Sequence, residues 1–328
     1  MEAFMFDYFP IDPKEFDGPV LVTGSGGCIG SWTVALLEHA GVKVHAFDLT
    51  VDKRRPSLIM DEAALNNVVW HAGDIVDTAA VKAVVEKSGA RAIIHLAALQ
   101  VPFCRADPVA GALVNVVGTV NVFEAAKACG IARLTYASSV AAYGALEDGG
   151  AMSTLYGAYK YCNEQTAKVY SEENGIHSVG IRPGVVYGVG RDQGMTSKTT
   201  AAILAAAANK PYVVPFSGDV SWLFAGEAAS AFIRSVAKPH AGAPVFDLNG
   251  EYVSVETGMH MLKELAPAAQ VAITGGPLAF PMDKSDDPLR EFVGDYGKMP
   301  LKQGIQSTYA QFQALTQAGK IDASALLS

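Results

Sequence analysis

The eight residues Thr23-Gly24-Ser25-Gly26-Gly27-Cys28-Ile29-Gly30 constrain this chain more than any other stretch. They follow the apolar run Pro19-Val20-Leu21-Val22 and open a segment that continues through Trp32 to Leu37 with apolar residues at helical spacing. A buried strand that turns into a helix through closely spaced glycines is the local structure that cradles a phosphate group. In that reading Gly24 permits the tight turn and Gly27 lets the backbone approach a pyrophosphate. Gly30 allows close packing of helix on strand, and Cys28 and Ile29 begin the helix whose N-terminus faces the negative charge.

The rest of the first half keeps the same rhythm. Runs beginning at Pro19, Val42, Asn67, Arg91, Ala132 and His177 are near-continuously apolar, as strands buried on both faces should be, and helical patterns lie between them. The pattern predicts an α/β fold: a Rossmann-type doubly wound parallel sheet with a smaller, interleaved C-terminal substrate lobe. Residues 1–185 form the dinucleotide-binding domain, a strand near 243–249 (PVFDLN) returns to its sheet, and 186–328 supply mainly the substrate lobe.

Composition narrows the classes further. Of the 328 residues 50% are hydrophobic and 18% charged, which describes a chain able to bury a core. A net charge of −8 argues against a nucleic-acid partner, since phosphate backbones call for clustered Lys and Arg. Cys28, Cys104, Cys129 and Cys162 stand far apart, so neither a disulfide framework nor a metal site is expected, and a reducing compartment follows. The acidic, proline-containing start does not read as a secretory signal, and no stretch approaches the roughly 20 uninterrupted apolar residues of a membrane span. The expectation is a cytoplasmic protein without a membrane partner.

Two further features carry chemistry. Asp48 ends the second strand, where a carboxylate accepts hydrogen bonds from the adenosine ribose hydroxyls and repels a 2′-phosphate. This favours NAD as cofactor, although Lys53, Arg54 and Arg55 follow closely and would suit NADP. Tyr156 and Lys160, four residues apart in a helical pattern, share one helix face. A phenol with an unperturbed pKa of about 10 becomes a usable acid/base when a nearby ammonium favours the phenolate.

Taken together, these residues resemble the extended, epimerase-like branch of the short-chain dehydrogenases/reductases, of the NAD-dependent epimerase/dehydratase type. The resemblance runs from Val20 to about Asn249. It rests on the TGxxGxxG form at Thr23, Gly73-Asp74-Ile75, His95-Leu96-Ala97-Ala98, Asn115 in VNVVGT, Ser138-Ser139 with Tyr143, the YxxxK pair, and Arg182-Pro183-Gly184. It implies that Tyr156 is the catalytic acid/base, that Lys160 lowers its pKa and holds the nicotinamide ribose, and that Ser139 hydrogen-bonds the substrate oxygen. Asp74 and Ile75 would flank the adenine, and Leu96, Ala97 and Ala98 would lie beneath the cofactor. Asn115 would stabilise a helix or relay a proton, and Pro183 would touch the nicotinamide side. Ser138 reads as a packed strand residue. The resemblance also implies a homodimer, through helices near Asn115–Cys129 and Lys160–Tyr170.

Departures from the family pattern narrow the substrate. Val140-Ala141 stand where dehydratases carry an acidic pair, so dehydration is disfavoured. Gly184 after Arg182-Pro183, and the stretch Gly218 to Glu227, lack the residues with which nucleotide-sugar enzymes grip a diphosphate. A small polar substrate is expected, such as a sugar, sugar acid or polyol, met by Ser139, Tyr156 and the loop residues Gln100, Arg191, Thr196 and Lys198. Arg191 and Lys198 read equally well as solvated charges. Three readings compete: a net oxidoreductase acting on a secondary alcohol or carbonyl, which the missing diphosphate grip favours; an NAD-retaining epimerase; and a non-catalytic NAD-binding protein.

Overall fold

Val20–Thr23 (β1) is buried along its whole length, and so is Ala92–His95 (β4), since both are apolar on two faces and helices cover each face. The structure is a computed structural model and describes residues 3–146, 153–280 and 283–327. β1 and β4 join Val44–Asp48 (β2), Val69–Ala72 (β3), Arg133–Ala137 (β5), Val179–Pro183 (β6) and Val245–Leu248 (β10) in one parallel sheet of order β10-β6-β5-β4-β1-β2-β3. All seven strands read from the sequence are present. Val20 pairs with Val44 on one side and Ala92 on the other, so the order reverses at β1 and opens a crevice at the carboxyl ends of β1, β2 and β4.

One strand departs from expectation. β3 is not buried on both faces: it is the outer edge of the sheet with β2 as its sole neighbour, and Val69 is 38% exposed. At that edge His45 and His71 stack, with Nδ1 of the first 2.9 Å from Nε2 of the second.

Alternation along β1 divides the core: Val20 and Val22 belong to one apolar cluster, Leu21 to the other. The first cluster is covered by Cys28–His39 (α1) and, after a long excursion of the chain, by the almost wholly buried helix Ala225–Ala237. The second is covered by Thr78–Ser88 (α2), Pro108–Cys129 (α3) and Leu155–Asn174 (α4). α3 passes through a π-turn at Leu113–Val117. By length and average composition its 22 residues are enough to cross a membrane, although no run of uninterrupted apolar residues in it is that long. Polar residues at 115, 121, 124 and 127 interrupt its apolar runs without lowering the average far, and half of it is buried against the sheet, with Val122 and Phe123 fully enclosed.

Between β6 and β10 the chain leaves the main sheet. Val185–Tyr187 (β7), Asp219–Phe224 (β9) and Glu251–Ser254 (β11) form a three-stranded sheet, and Tyr212–Val214 (β8) pairs with Val271–Ile273 (β12). The alanine-rich helix Lys198–Ala207 (α5) lies between them in sequence, and the Ala225–Ala237 helix is α6. The two regions are locked together by aromatic packing: the Trp32 indole donates to the Val189 carbonyl at 2.9 Å and meets the Phe224 ring edge-to-face.

Candidate active site

The crevice at the strand ends is a cleft of about 700 Å³. Its floor at one end is the glycine turn. Gly24 has φ +69°, and a Cβ there would run into the backbone of Leu96 and Ala97. Gly30 rests on the Gly24 carbonyl, which any side chain would displace. Gly27 caps α1 with no side-chain oxygen, so the first amides of the helix, at Cys28, Ile29 and Gly30, have no partner within it and point their dipole into the cleft. Burial pushes the Cys28 thiol up to about 11, against the pull of Arg191 and Arg55, and it stays a neutral wall of the cleft.

Asp48 stands at the end of β2 with Oδ2 accepting from the Gly26 amide at 2.8 Å. Asp74 and Ile75 follow β3, Ile75 packing against Gly118 of α3, and Leu96 to Ala98 continue β4 beneath Gly24; all face the cleft. The basic cluster beyond β2 is engaged elsewhere. Lys53 lies over the Trp70 ring, Arg54 pairs loosely with Asp52 and Asp192, and Arg55 donates to Asp192 at 2.8 and 2.9 Å and to the Gly26 carbonyl at 2.9 Å. A cradle without side chains, an open helix N-terminus and a carboxylate at the ribose position fit NAD, and the cleft volume lies within the range of cofactor sites, about 300–1,000 Å³.

At the other end of the cleft sit Ser139, Tyr156 and Lys160. Ser139 lies two residues beyond β5 and opens a short 3₁₀ turn, Val140–Ala145, its Oγ accepting from the Ala141 amide at 3.1 Å. α4 begins one residue before Tyr156, capped by Thr154 through the Gly157 amide at 2.9 Å. Gly157 allows this start, because a Cβ there would collide with the Ala141 carbonyl and push Tyr156 away from Ser139. Lys160, buried, donates from Nζ to the Ala137 carbonyl at 2.6 Å and lies 5.6 Å from the centre of the Tyr156 ring.

The charges act differently from the sequence expectation. Burial raises the Tyr156 phenol above its ordinary value, and the groups that pull it down are Ser139, by hydrogen bonding, and the Arg191 guanidinium. Lys160 is itself pushed down to about 8 by burial, and the Ala137 carbonyl holds its amine.

Beneath Ser139, Ser138 donates to Glu164 of α4, which forms a two-pronged ion pair with Arg182 at 2.6 and 2.7 Å. The Arg182 guanidinium lies over the Tyr143 ring, and Tyr143 donates to Asp247 of β10 at 2.8 Å. This network ties β5, β6, β10 and α4 together and fixes the segment that ends in Ser139.

Asn115 is not in the cleft. It is buried inside the π-turn of α3, where its Nδ2 donates to Gly111 at 2.9 Å and to Leu99 at 3.1 Å, and its backbone carbonyl accepts from Thr119 Oγ1 at 2.7 Å and from Asn163 Nδ2 of α4 at 2.8 Å. Its observed contacts are those of a brace between α3 and α4. The cleft's outer wall is the loop 188–197 after β7. Arg191 donates from Nη2 to Thr196 Oγ1 at 3.1 Å, and both face the cleft with Gln100 and Pro183. Lys198 does not line it: it is the first residue of α5, and the helix carries it outside the wall. Asp192 and Phe280, for which the sequence gives no signal, also line the cleft, as does Arg55, which the sequence offers only to a 2′-phosphate. Arg55 and Asp192 are 137 positions apart, so only the folded chain reveals them as a pair closing over the glycine turn.

A dinucleotide cradle joined to a Ser-Tyr-Lys cluster at the strand ends defines an NAD-dependent enzyme of the extended short-chain dehydrogenase/reductase type. The chain belongs to the NAD-dependent epimerase/dehydratase family, which matches residues 20–249. Proteins similar to it include both epimerases and dehydrogenases. It is 33% identical over 171 residues to the UDP-glucose 4-epimerase of Rhizobium leguminosarum bv. trifolii, a match spanning about half of each chain. It is 31% identical over 191 residues, 51% of this chain and 68% of the other, to the NAD-dependent glucose-6-phosphate dehydrogenase of Haloferax volcanii. In structure it resembles the Thermus thermophilus UDP-glucose 4-epimerase in complex with NAD (TM-score 0.74, 23% identity, 90% and 99% of the two chains). It also resembles the L-threonine dehydrogenase of Clostridium difficile (TM-score 0.77, 18% identity, 91% and 98%).

Proposed function

We propose that this chain is a net dehydrogenase/reductase that interconverts a secondary alcohol and a carbonyl on a small polar substrate. The glycine turn and Asp48 would hold NAD, which when bound would supply hydride transfer at that carbon. Tyr156 takes the hydroxyl proton as the C–H bond breaks and the C=O bond forms, and gives it back in reduction. Ser139 donates to the substrate oxygen and fixes it against Tyr156. Lys160, buried and lowered to about 8, supplies positive charge on the cofactor side of the phenol and moves protons out through its own amine.

The observation that carries the small-substrate reading is the packing of residues 219–227. Where nucleotide-sugar enzymes grip a diphosphate, this chain has β9 and the first turn of α6 with Val220, Ser221, Trp222 and Glu227 buried in the core, Glu227 bound to the Met299 amide and Arg290. The deciding experiment follows NADH absorbance of purified protein with NAD and a panel of sugars, sugar acids and small secondary alcohols. Steady NADH growth with one compound is expected. Isomer interconversion without growth beyond the bound cofactor would make the enzyme an epimerase instead.

The same reading extends to assembly and place. Val109, Leu113 and Val117 form an exposed apolar stripe along α3, and Val169 adds to it from α4, which supports a homodimer through these helices. Four free thiols suit a reducing cytoplasm. Residues 1–185 with β10 hold the cofactor, and the remainder of 186–328 forms the substrate side.

A further inference from the structure

Arg191 is a guanidinium enclosed in the cleft wall with an incomplete set of partners. Its Nη2 donates to Thr196, but its Nε is buried and bonds to nothing in the chain. The nearest carboxylate, Asp192, is already committed to Arg55 through two short contacts. Across from it the Gln100 side-chain oxygen is likewise buried and unpartnered. The two groups converge at Gly194, where a Cβ would collide with Gln100 Oε1 and lie 3.1 Å from Arg191 Nη2. Gly194 has φ +97°, so the loop adopts a conformation that side chains rarely tolerate and thereby leaves this space clear.

Charge is distributed unevenly along the cleft. Its acidic residues Asp48, Asp52 and Asp74 belong to the end beside the glycine turn, where the adenosine would sit, whereas the end next to Tyr156 carries Lys160 and Arg191 and no unpaired carboxylate among the described residues. A buried guanidinium with an open donor is stabilised by an anion that accepts two hydrogen bonds side by side. A polyol would leave it uncompensated. Resting on the dehydrogenase reading, we propose that Arg191, Thr196 and Gln100 seat a carboxylate of the substrate, so that the alcohol oxidised at Tyr156 is that of a hydroxy acid. Turning the Gln100 amide over places its NH₂ toward the anion beside the Thr196 hydroxyl. One guanidinium with two neutral donors matches the single charge of a carboxylate better than the two charges of a phosphate ester.

The test uses the full chain saturated with NADH, in which an alcohol binds without reacting. Calorimetric titration compares matched acids and neutral alcohols: 3-hydroxybutyrate with butane-1,3-diol, and gluconate with glucitol, with glucose 6-phosphate as the phosphate arm. In the wild type at least one acid binds tighter than its neutral partner by about tenfold or more, as a charge-assisted pair requires. Arg191→Met erases that ratio while NADH affinity stays within about twofold, and Arg191→Lys, which lacks the fork, restores only part of it. The proposal fails if neutral partners bind as well as the acids, or if neither acid binds. It fails too if glucose 6-phosphate binds tightest, or if Arg191→Met weakens NADH and leaves the ratio intact, which would give Arg191 to the cofactor's pyrophosphate. NADH growth in turnover assays without acid preference leaves the dehydrogenase reading standing and removes this one. Acid preference without net NADH formation does the reverse.

Discussion

Tyr156 and Lys160 are both shifted by burial, in opposite senses, and each shift leads to a measurement. The raised phenol is the protonated acid at neutrality, which suits reduction, and becomes a base for oxidation only as pH rises. The rate of alcohol oxidation should therefore climb through neutrality into the alkaline range, with reduction falling over the same interval. Tyr156→Phe should lower turnover by roughly 10²–10⁴-fold in either direction while NAD affinity, read by fluorescence titration, changes little. Lys160 has a folded pKa of about 8, below its unfolded value, so its charged form is disfavoured in the fold. Its burden on stability is full below about pH 8 and is relieved as pH rises towards 10.5. Lys160→Met should abolish turnover yet melt no lower than the wild type at neutral pH, and the gap between the two should narrow on raising the pH.

At the scale of elements, α4 positions most of the reacting end by simple periodicity: Tyr156, Lys160, Asn163 and Glu164 fall on one face. The sequence exposes the first two, because four-residue spacing beside a glycine turn is a local signal. It gives no sign that Asn163 joins Thr119 in donating to the Asn115 carbonyl of α3, since that contact arises only when the two helices meet. Asn163→Leu should destabilise the fold by about 1 kcal/mol, the net contribution of one lost hydrogen bond, since the Thr119 hydroxyl still donates to the Asn115 carbonyl, measurable by urea unfolding. The strands were readable for a similar reason: seven short apolar runs survive as seven parallel strands. The exposure of β3 was not, because being last in the sheet is a property of strand order and leaves no trace in the run itself. The pairing of Arg55 with Asp192 was equally hidden, and the sequence left Arg55 available to a 2′-phosphate. Arg55→Ala should raise the NAD dissociation constant about tenfold, as loss of a charge-assisted contact worth about 1.5 kcal/mol would, without converting the enzyme to NADP, since Asp48 remains.

For the molecule as a whole, histidines set the acid limit. His95, enclosed between the Thr23 and Thr119 hydroxyls, is pushed down to about 3 by burial and by Lys160, and His45 to about 4 by burial, His71 and Lys43. Both are depressed below the unfolded value of 6.5, so the stability they contribute is complete above that pH and is lost as pH falls towards their folded values. Glu227, raised to about 7, acts in the opposite sense, which makes a variant comparison the cleaner measurement. The loss of urea midpoint on acidification from neutrality should be smaller in His95→Gln than in the wild type.

The return of β10 to the main sheet also bears on how the protein comes off the ribosome. β6 finds its outer neighbour only when residues 245–248 emerge, some sixty positions after its own synthesis, and Asp247 completes the Tyr143 hydrogen bond at the same moment. Until then the nascent chain presents a bare strand edge, Val179–Pro183, of the kind that recruits other chains. A chain stopped at residue 185 should therefore aggregate during synthesis although it carries every residue of the cofactor cradle, and production of this enzyme should depend on holding that edge apart until the substrate side has been made.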